Sequence, residues 1–331
     1  MIYQNVPQEE KDYKRLGTEQ TIQDKSYTDI LREYDNYSTQ KNVRINFLKE
    51  IEKLEVPAKK TVGVIAFICD ESSIHSSMNS RDIPAIGSAL MSIGQVDILR
   101  LVINSPGGDG TIAEKIIEMC RCYCKRFEVI IPNMAKSAAT MIALGSDEIV
   151  MGYCSEIGPI DAQVPIIVGN VPRYISAQSF IDSRRKLIKE YEQAVKDKKD
   201  TKLILQQIAT LDLPFIEECE KYMNFSKDMA DKCLTKYMFK KYSRTKNSAL
   251  LRSKIDKALK YLSSTEDLYV HGRMVNTHTA KTVLGLSIKS LGRDSIYWKK
   301  IWEYYVRANI TLGRIKSVKL IETKGETLHA G

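Results

Sequence analysis

The pattern of apolar and polar positions divides the chain into stretches of different texture. From residue 61 onward, the continuous apolar and β-branched runs TVGVIAFIC, DILRLVINS and EVIIP alternate with segments whose apolar residues recur at helical spacing. Such continuous runs are typical of strands that are buried on both faces. Strands that alternate with helices predict parallel βαβ units with right-handed crossovers. The pattern therefore predicts an α/β core.

Helices are predicted between those strands. A helix over about residues 82–94 is expected to begin with Asp82 as its cap and to accept Pro84 in its first turn. The segment TIAEKIIEMCRCYCKRF is predicted to be one amphipathic helix that leads directly into EVIIP. The turn NMAKS then precedes a helix that begins SAATMIALGS, and the strand EIVMG closes the unit.

The stretches on either side of this core predict a division into regions. The predicted regions are a charged, helical N-terminal region (1–57), a core (58–175 and 266–292), an inserted helical arm or lid (176–265) and a basic, aromatic C-terminal tail (293–331). The aromatic residues of the tail recur at helical spacing. We interpret them as packing onto a partner or onto the core, rather than as stacking on nucleic acid.

Composition and charge exclude several classes of protein. The chain has 331 residues, of which 43% are hydrophobic and 27% charged, so a long disordered chain is excluded. No apolar run is long enough to cross a bilayer, and the first residues lack the apolar centre of a secretory signal. The net charge of +9 is carried by helical stretches in which Lys and Arg mix with acidic residues, which indicates solvated helix surface. We therefore expect a cytoplasmic protein with no nucleic-acid partner.

The cysteines and histidines do not predict a metal or cofactor site. Seven cysteines, an odd number, favour a reducing compartment over a disulfide scaffold. Cys120 and Cys124 would share one face of the predicted helix, but no nearby histidine or CxxC pair completes a tetrahedral set, so small core cysteines are expected. His75, His278 and His329 are interpreted as structural or solvent-facing.

Two loops follow consecutive predicted strands, at the edge where open α/β sheets bind their ligands. Residues 104–110, NSPGGDG, have glycines that free backbone N–H groups to point at an anion, although such turns are common. Residues 133–140 carry Ser137 at the first turn of a helix, where a serine alone would be interpreted as an N-cap. Together the loops offer a nucleophile and donors for a tetrahedral intermediate.

The segments VINSPGGDGTIAEKI and AKSAATMIALGSDEIVMGYCSEIGPIDAQ closely resemble the serine dehydrogenase proteinase family, whose relatives include signal peptide peptidase and the proteolytic subunit of Clp protease. The resemblance covers about half of the chain, residues 61–164 and, less closely, residues 271–286. It implies an α/β fold with a crotonase/Clp-protease-like repeated ββα core and an added helical arm.

The resemblance also implies roles for individual residues. Ser137 would be the nucleophile, and the N–H groups of Gly107, Gly108 and Ala138 would form the oxyanion hole. The chain departs from the family at Ala139, where glycine is usual, and the extra methyl group is expected to tighten the turn.

The base that activates Ser137 is less evident from the sequence. Asp161 stands where Clp-type relatives carry a histidine, and His271 stands near the place where relatives carry an aspartate. We therefore hypothesise a triad in which His271 is the base and Asp161 orients it. The alternatives are a turn histidine at position 271 and a helix-capping aspartate at position 161.

Lysines are the alternative bases, because signal peptide peptidases use a Ser-Lys dyad. Lys136 adjoins the nucleophile in sequence, so its side chain is expected to point away from the hydroxyl and to raise the local positive potential. Lys186 and Lys189 lie on the predicted arm, where charged residues are usually solvated.

The predicted function is that of a cytosolic serine peptidase, a homo-oligomer that cleaves proteins or peptides through an acyl-enzyme. One alternative is a crotonase-type enzyme that uses the same glycine loop on an acyl-CoA thioester. Another is a catalytically degenerate relative that serves as a binding or assembly module through its arm and tail.

Overall fold

The computed structural model of the chain describes residues 25–34, 36–169, 171–240, 248–263 and 273–330. Its strands are β1 (Val62–Cys69), β2 (Val96–Asn104), β3 (Cys124–Ile131), β4 (Met134–Ala135), β5 (Glu148–Met151), β6 (Glu156–Ile157), β7 (Gln163–Val168), β8 (Val171–Ser176), β9 (Val275–Asn276), β10 (Ile288–Ser290), β11 (Lys319–Glu322) and β12 (Thr327–Ala330). Its α-helices are α1 (Tyr27–Glu33), α2 (Tyr37–Lys53), α3 (Asp82–Ile93), α4 (Gly110–Cys122), α5 (Ala138–Leu144), α6 (Ala177–Lys196), α7 (Lys202–Ala209), α8 (Leu213–Cys233), α9 (Ser248–Ser263) and α10 (Ile296–Ile315). Short π-helical turns span Leu234–Met238 and Thr279–Val283.

A seven-stranded sheet in the order β10-β5-β3-β2-β1-β11-β12 forms the centre of the molecule. Strands β1, β2, β3, β5 and β10 are parallel to one another, which confirms the predicted α/β core of βαβ units. Strands β11 and β12 add an antiparallel edge beside β1. This edge was not predicted, because residues 293–331 were interpreted as a basic tail whose aromatic residues recur at helical spacing.

The parallel strands are buried on both faces. Ile65 and Phe67 of β1 belong to a core that includes residues of α3, α4, α5 and α9, whereas Val64 and Ala66 pack with residues of α2 and α10. Successive side chains of a strand point to opposite faces, so a strand that is covered on both sides has to be apolar at consecutive positions. This explains the continuous apolar runs in the sequence.

The boundary between α4 and β3 differs from the prediction. The helix ends at Cys122, and β3 begins at Cys124, so the residues CKRF belong to the strand. The charged residues there resemble a helix surface, but Arg126 pairs with Glu128 of the same strand and, at 2.7 Å, with Glu148 of the neighbouring strand β5. Cross-strand ion pairs stabilise neighbouring strands. Tertiary pairing thus outweighs the local helical pattern.

The cysteines of this segment follow the corrected boundary. Cys124 lies in β3, so the prediction that it shares a helix face with Cys120 is wrong. Cys120 is fully buried in the core, as predicted, whereas Cys122 is exposed at the end of α4. All seven cysteines are described, and all are free thiols.

Asp82 does not cap α3, contrary to the prediction. Arg81 occupies the N-cap position and makes no capping hydrogen bond with its side chain. Asp82 is the first residue of the helix and is fully buried. Its carboxylate accepts hydrogen bonds from the ammonium of Lys319 at 2.9 Å and from the N–H of Asn79 at 2.8 Å. The local sequence cannot show that a lysine more than two hundred residues away faces this carboxylate.

The C-terminal residues form part of the core. Trp298 and Tyr304 of α10 are buried against the sheet, so the aromatic spacing reflects packing onto the core. A fully buried ion pair joins Arg44 of α2 to Glu322 of β11, with 3.0 Å between nitrogen and oxygen. Helix α2 and strand β11 are therefore tied to each other.

The helical segment that follows β8 has two parts. Residues of α6 and of the first half of α8 form a small apolar cluster of their own, which includes Ile181, Ile216 and Met223. The end of α8 and α9 belong instead to the main core, through Met229 and Ile255 among others. The hairpin of β7 and β8, which was not predicted, precedes this segment.

Candidate active site

The two predicted loops lie side by side beyond the carboxyl ends of β2 and β3. The N–H of Ser105 donates to the carbonyl oxygen of Met134, and the N–H of Lys136 donates to that of Ser105, both at 3.1 Å. A Cβ atom on Gly107, whose φ is +102°, would lie 2.6 Å from the carbonyl oxygen of Lys136 and 2.8 Å from Cβ of Ser137. Glycine is required at this position, because both the φ angle and the close approach exclude a side chain. The glycine loop thus touches the turn that carries Ser137.

Ser137 has the backbone of a strained turn. Its φ of +48° and ψ of −118° are rare for a residue with a side chain and cost on the order of 1–3 kcal/mol. It occupies the N-cap position of α5, but its side chain makes no capping hydrogen bond. A serine that serves as a cap has an extended backbone and accepts a hydrogen bond from the first turn. The hydroxyl group is therefore not used by the helix.

Two residues that line the cleft beside Ser137 have backbone N–H groups that other groups do not use within the described ranges. No hydrogen bond within the described ranges uses the N–H of Gly108 or of Ala138, and both residues line the cleft. The N–H of Gly107, by contrast, donates to Oγ of Ser105 at 3.1 Å. An oxyanion needs donors that no other acceptor occupies. Of the three predicted N–H groups, those of Gly108 and Ala138 meet this condition.

Ala139, where the family usually has glycine, lies behind this turn. It is fully buried and packs in the main core. Its N–H donates to the carbonyl oxygen of Lys136 at 2.9 Å. The extra methyl group therefore contributes to core packing and does not line the cleft.

Asp161 is buried in the segment between β6 and β7, with 3% of its surface exposed. The next helix along the chain, α6, begins at Ala177, so the alternative in which Asp161 caps a helix is wrong. Ala162, which follows it, lines the cleft. Asp161 therefore lies next to the site in sequence without being part of its lining.

His271, the predicted base, lies outside the described residues. The described residues before and after it contact the segment that precedes Asp161. The N–H of Ile160 donates to the carbonyl oxygen of Leu262 at 2.8 Å, and Val275 of β9 pairs with Ile157 of β6. The triad of Ser137, His271 and Asp161 stays a prediction.

Lys136, which is buried, forms an ion pair with the half-buried Glu156. Its ammonium lies 2.5 Å from the Glu156 carboxylate. Its aliphatic chain passes so close to Gly158 that a Cβ atom there would lie 2.5 Å from Cδ of the lysine. The positive charge of Lys136 is thus largely balanced by Glu156.

The two other candidate lysines and the three remaining histidines lie elsewhere in the described chain. Lys186 and Lys189 are exposed on α6, and Lys186 pairs with Glu190 of the same helix. His75 and His278 are exposed, and His329 contacts the hydroxyl of Tyr37 near the C-terminus. None of these five groups lines the cleft that contains Ser137.

The cleft has a volume of about 890 Å³ and lies between two surfaces. We call the first the core wall; it consists of Ser77, Met78, Pro106, Gly108, Asp109, Gly110, Thr111, Ser137, Ala138 and Met141. We call the second the arm wall; it consists of Ala162, Gln163, Val164, Pro165 and Tyr174 at the β7–β8 hairpin, and Lys221, Tyr222, Phe225 and Ser226 of α8.

The two walls meet at Phe225. A Cβ atom on Gly110 would lie 3.0 Å from the ring of Phe225 and 3.7 Å from the sulfur of Met141. Phe225 thus lies directly over the start of α4. The absence of a side chain at Gly110 leaves room for this ring, which forms the apolar end of the cleft.

The whole arm wall was not predicted from the sequence, although signals for it exist. The hairpin follows from the run QVPIIVGNVPRYIS, in which two β-rich segments flank a Gly-Asn pair. Tyr222, Phe225 and Ser226 are spaced three and four residues apart, so they share one face of α8. Neither pattern identifies the surface that it faces.

Within the described ranges, no three or more His, Cys, Asp and Glu side chains are grouped so that they could hold a metal ion. No helix in the described part of the chain has both the length and the apolar character needed to cross a lipid bilayer.

Comparison with known proteins places this site in a wider context. A family model described as ClpP-like SDH-type serine proteinase matches residues 46–257. The uncharacterized protein MJ0137 of Methanocaldococcus jannaschii is 29% identical over 174 residues, which are 50% of this chain and 54% of that protein. The uncharacterized protein MJ1495 of the same organism is 28% identical over 128 residues, 37% of this chain and 42% of that protein. The chain spans about half the length of the curated relatives it matches.

Among solved structures, the ClpP protease catalytic domain from Plasmodium falciparum is 13% identical to this chain, with a TM-score of 0.25. The match covers 57% of this chain and 90% of that structure's chain. A serine-to-alanine mutant of the 1510-N membrane-bound stomatin-specific protease is 16% identical, covers 70% of this chain and 95% of that chain, and has a TM-score of 0.29. TM-scores this low support no conclusion about this chain.

Proposed function

Because the chain belongs to the family of ClpP-like SDH-type serine proteinases, we propose that it is a serine peptidase that cleaves proteins or peptides through an acyl-enzyme on Ser137. One observation carries the proposal. The hydroxyl-bearing residue sits in a strained turn, makes no capping bond, and lines the cleft beside two backbone N–H groups that no protein acceptor in the described ranges uses. A strained turn that presents the hydroxyl recurs at nucleophilic serines.

In the proposed reaction, Oγ of Ser137 attacks the carbonyl carbon of the scissile bond while a base accepts the hydroxyl proton. The carbonyl oxygen becomes negative and accepts hydrogen bonds from the N–H groups of Gly108 and Ala138. The C–N bond then breaks, and the base returns the proton to the leaving amine. Water releases the acyl group by the same route. Gly107 has a different role: its N–H donates to Oγ of Ser105, and its lack of a side chain allows the two loops to lie close together.

We keep His271 as the proposed base and Asp161 as the group that orients it. The contacts of Leu262 and Val275 with the segment before Asp161 support this pairing, because they bring both ends of the His271 segment towards that side of the site. A free histidine has a pKa near 6.5, whereas that of a free lysine is near 10.4. We therefore expect kcat/KM to rise with pH through a single group near neutrality. A controlling group several pH units higher would favour a lysine instead.

Hydrolysis of fluorescently labelled casein tests the proposed function. We expect the wild-type protein to release labelled peptides and the Ser137→Ala variant to release none above background. Ser183→Ala is the matched control, because Ser183 is exposed on α6 and its hydroxyl bonds within that helix. Activity that survives Ser137→Ala would contradict the assignment of the nucleophile.

The same preparations separate the other functions that the sequence leaves open. Turnover of acyl-CoA thioesters without casein hydrolysis would favour a crotonase-type enzyme. Folded protein with neither activity would favour a binding or assembly module. The homo-oligomer and the cytoplasmic location stay predictions; light scattering on the purified protein and localisation of a tagged protein test them.

A further inference from the structure

A buried ion pair lies behind the core wall. The ammonium of Lys319 in β11 donates to both carboxylate oxygens of Asp82, each at 2.9 Å, and to the carbonyl oxygen of Ser77 at 2.8 Å. The two charged side chains are 3% and 0% exposed. An ammonium has three N–H groups, so all the donors of Lys319 are satisfied here. The ion pair is therefore fully formed and shielded from water.

These contacts fix the loop that carries Met78. Ser77, whose carbonyl oxygen Lys319 binds, immediately precedes Met78, and both residues line the cleft. The carboxylate of Asp82 also accepts a hydrogen bond from the N–H of Asn79 at 2.8 Å. Residues on either side of Met78 are thus attached to the same ion pair.

Met78 in turn forms the support for the glycine loop. Its N–H donates to the carbonyl oxygen of Gly107 at 2.7 Å, and its carbonyl oxygen accepts from the N–H of Asp109 at 3.0 Å. A Cβ atom on Gly108 would lie 2.4 Å from both the nitrogen and the oxygen of Met78. Gly108 is therefore pressed against the Met78 backbone, which determines the direction of its N–H.

We infer that Lys319 and Asp82 are positioning residues for the oxyanion site: the ion pair fixes residues 77–79, and these hold the N–H of Gly108 in the cleft. The inference rests on the proposed function, since Gly108 acts as an oxyanion donor only if Ser137 forms a tetrahedral intermediate. Lys319 lies outside residues 46–257, which the family model matches. Strand β11 thus contributes to the site through a residue that the matched region does not contain.

A second buried ion pair of β11 provides the matched control. Arg44 and Glu322 are both fully buried, but they lie on the opposite face of the sheet, and neither lines the cleft. Breaking either ion pair leaves an uncompensated charge in the interior and destabilises the fold. Breaking the Lys319–Asp82 pair should in addition displace the donor. Arg44→Met should therefore destabilise the fold without displacing the N–H of Gly108.

The test compares the steady-state kinetics and inhibitor affinity of the folded variants. We expect Lys319→Met to lower kcat for a peptide substrate about tenfold to a hundredfold with KM nearly unchanged, because a small misplacement of a reacting group costs that much. The affinity for a peptide boronic acid, whose adduct with Ser137 needs the oxyanion donors, should fall by the same factor. Lys319→Arg should recover part of both. Arg44→Met should lower the melting temperature and leave kcat per folded molecule at the wild-type value.

Wild-type values of kcat and boronic acid affinity in folded Lys319→Met would overturn the inference, as would an equal loss of kcat in Arg44→Met. Should Lys319→Met fail to fold, the double variant Lys319→Met/Asp82→Asn, which leaves no buried charge unpaired, provides the same test. A wild-type protein that neither cleaves peptides nor binds the boronic acid would instead refute the proposed function. An active wild-type protein together with an unaffected Lys319→Met variant would refute the inference alone.

Discussion

The core wall and the arm wall line the same cleft, but the core wall contributes backbone groups to it and the arm wall contributes side chains. The core wall presents the backbone of Gly108, at positive φ, and of Ser137, in a strained turn, on two loops that backbone hydrogen bonds join. The arm wall presents side chains, from the β7–β8 hairpin and from one face of α8. The first wall determines where the N–H groups lie, whereas the second determines the shape and polarity of the cleft.

This difference suggests a division of roles. Backbone donors in a close-packed loop cannot move without a shift of the loop itself, which suits the stabilisation of a developing charge. Side chains on a helix and a hairpin can change without disturbing that loop, which suits the selection of a substrate. Substitutions in the core wall should therefore lower kcat, and those in the arm wall should change the preference among substrates.

The largest effect is expected at Gly108. In Gly108→Ala the new methyl group would overlap the backbone of Met78, and the φ of +143° is strained for alanine. The loop must move and withdraw the N–H, so kcat should fall about 10²-fold to 10³-fold, as it does when one oxyanion donor is lost. Steady-state peptide hydrolysis measures this. Gly292→Ala is the control, because a Cβ atom there meets nothing within 4 Å; equal losses in both variants would argue against the role of Gly108.

A smaller and substrate-dependent effect is expected at Phe225. Phe225→Ala removes the ring over Gly110 and opens the apolar end of the cleft. For a substrate with a large apolar side chain next to the scissile bond, kcat/KM should fall about tenfold to a hundredfold, since such pocket contacts are worth about 1–3 kcal/mol. The loss should be several-fold less for an alanine-containing substrate. A uniform loss with every substrate would show that Phe225 acts on the chemistry and would remove the distinction between the walls.

A still smaller effect is expected at Lys136. Because its ammonium is balanced by Glu156, Lys136→Met/Glu156→Gln should lower kcat less than about tenfold and leave the pH dependence of kcat/KM unchanged. The removal of a general base costs about 10²-fold to 10⁴-fold. A loss of that size in the double variant would identify Lys136 as the base and set His271 aside.

The smallest effect is expected at Asp97, at the end of the sheet far from both walls. Hydrogen bonds from the N–H of Thr61 and then from Lys125 lower the pKa of Asp97 below its usual 3.8. A carboxylate with a lowered pKa stabilises the fold above about pH 3.8, and this contribution is lost as the pH falls further. Urea denaturation should thus show a small deficit in Asp97→Asn at pH 7 that shrinks below pH 3.8. The rate of peptide hydrolysis should not change. A change would contradict the claim that catalysis depends on the two walls of the cleft and not on the far end of the sheet.

The sequence predicted the parallel core and the loops of the core wall, for a common physical reason. Strands covered on both faces must be apolar throughout, and loops that approach each other at backbone distance must contain glycine. Both requirements leave a pattern in consecutive residues, which can be recognised without knowing what those residues contact. The run TVGVIAFIC and the pair Gly107-Gly108 therefore carry their structural meaning locally.

What the sequence missed depends on contacts between distant residues. Asp82 looked like a helix cap because its partner, Lys319, lies near the other end of the chain. The residues CKRF were predicted to be helical, because the local sequence does not show that Arg126 forms its ion pairs with residues of the sheet. The arm wall was missed for the same reason: the face of α8 that bears Phe225 is evident from spacing, but its position over Gly110 is not.

Reaction with a fluorophosphonate, followed by peptide mapping, tests the central claim most directly. The probe forms a covalent bond with a serine oxygen that is activated as a nucleophile and is therefore selective for that group. We predict one adduct per folded chain, located on Ser137 and absent from Ser137→Ala but present in Ser183→Ala. Folded wild-type protein that carries no adduct, or carries it on another serine, would contradict the assignment of Ser137 as the nucleophile.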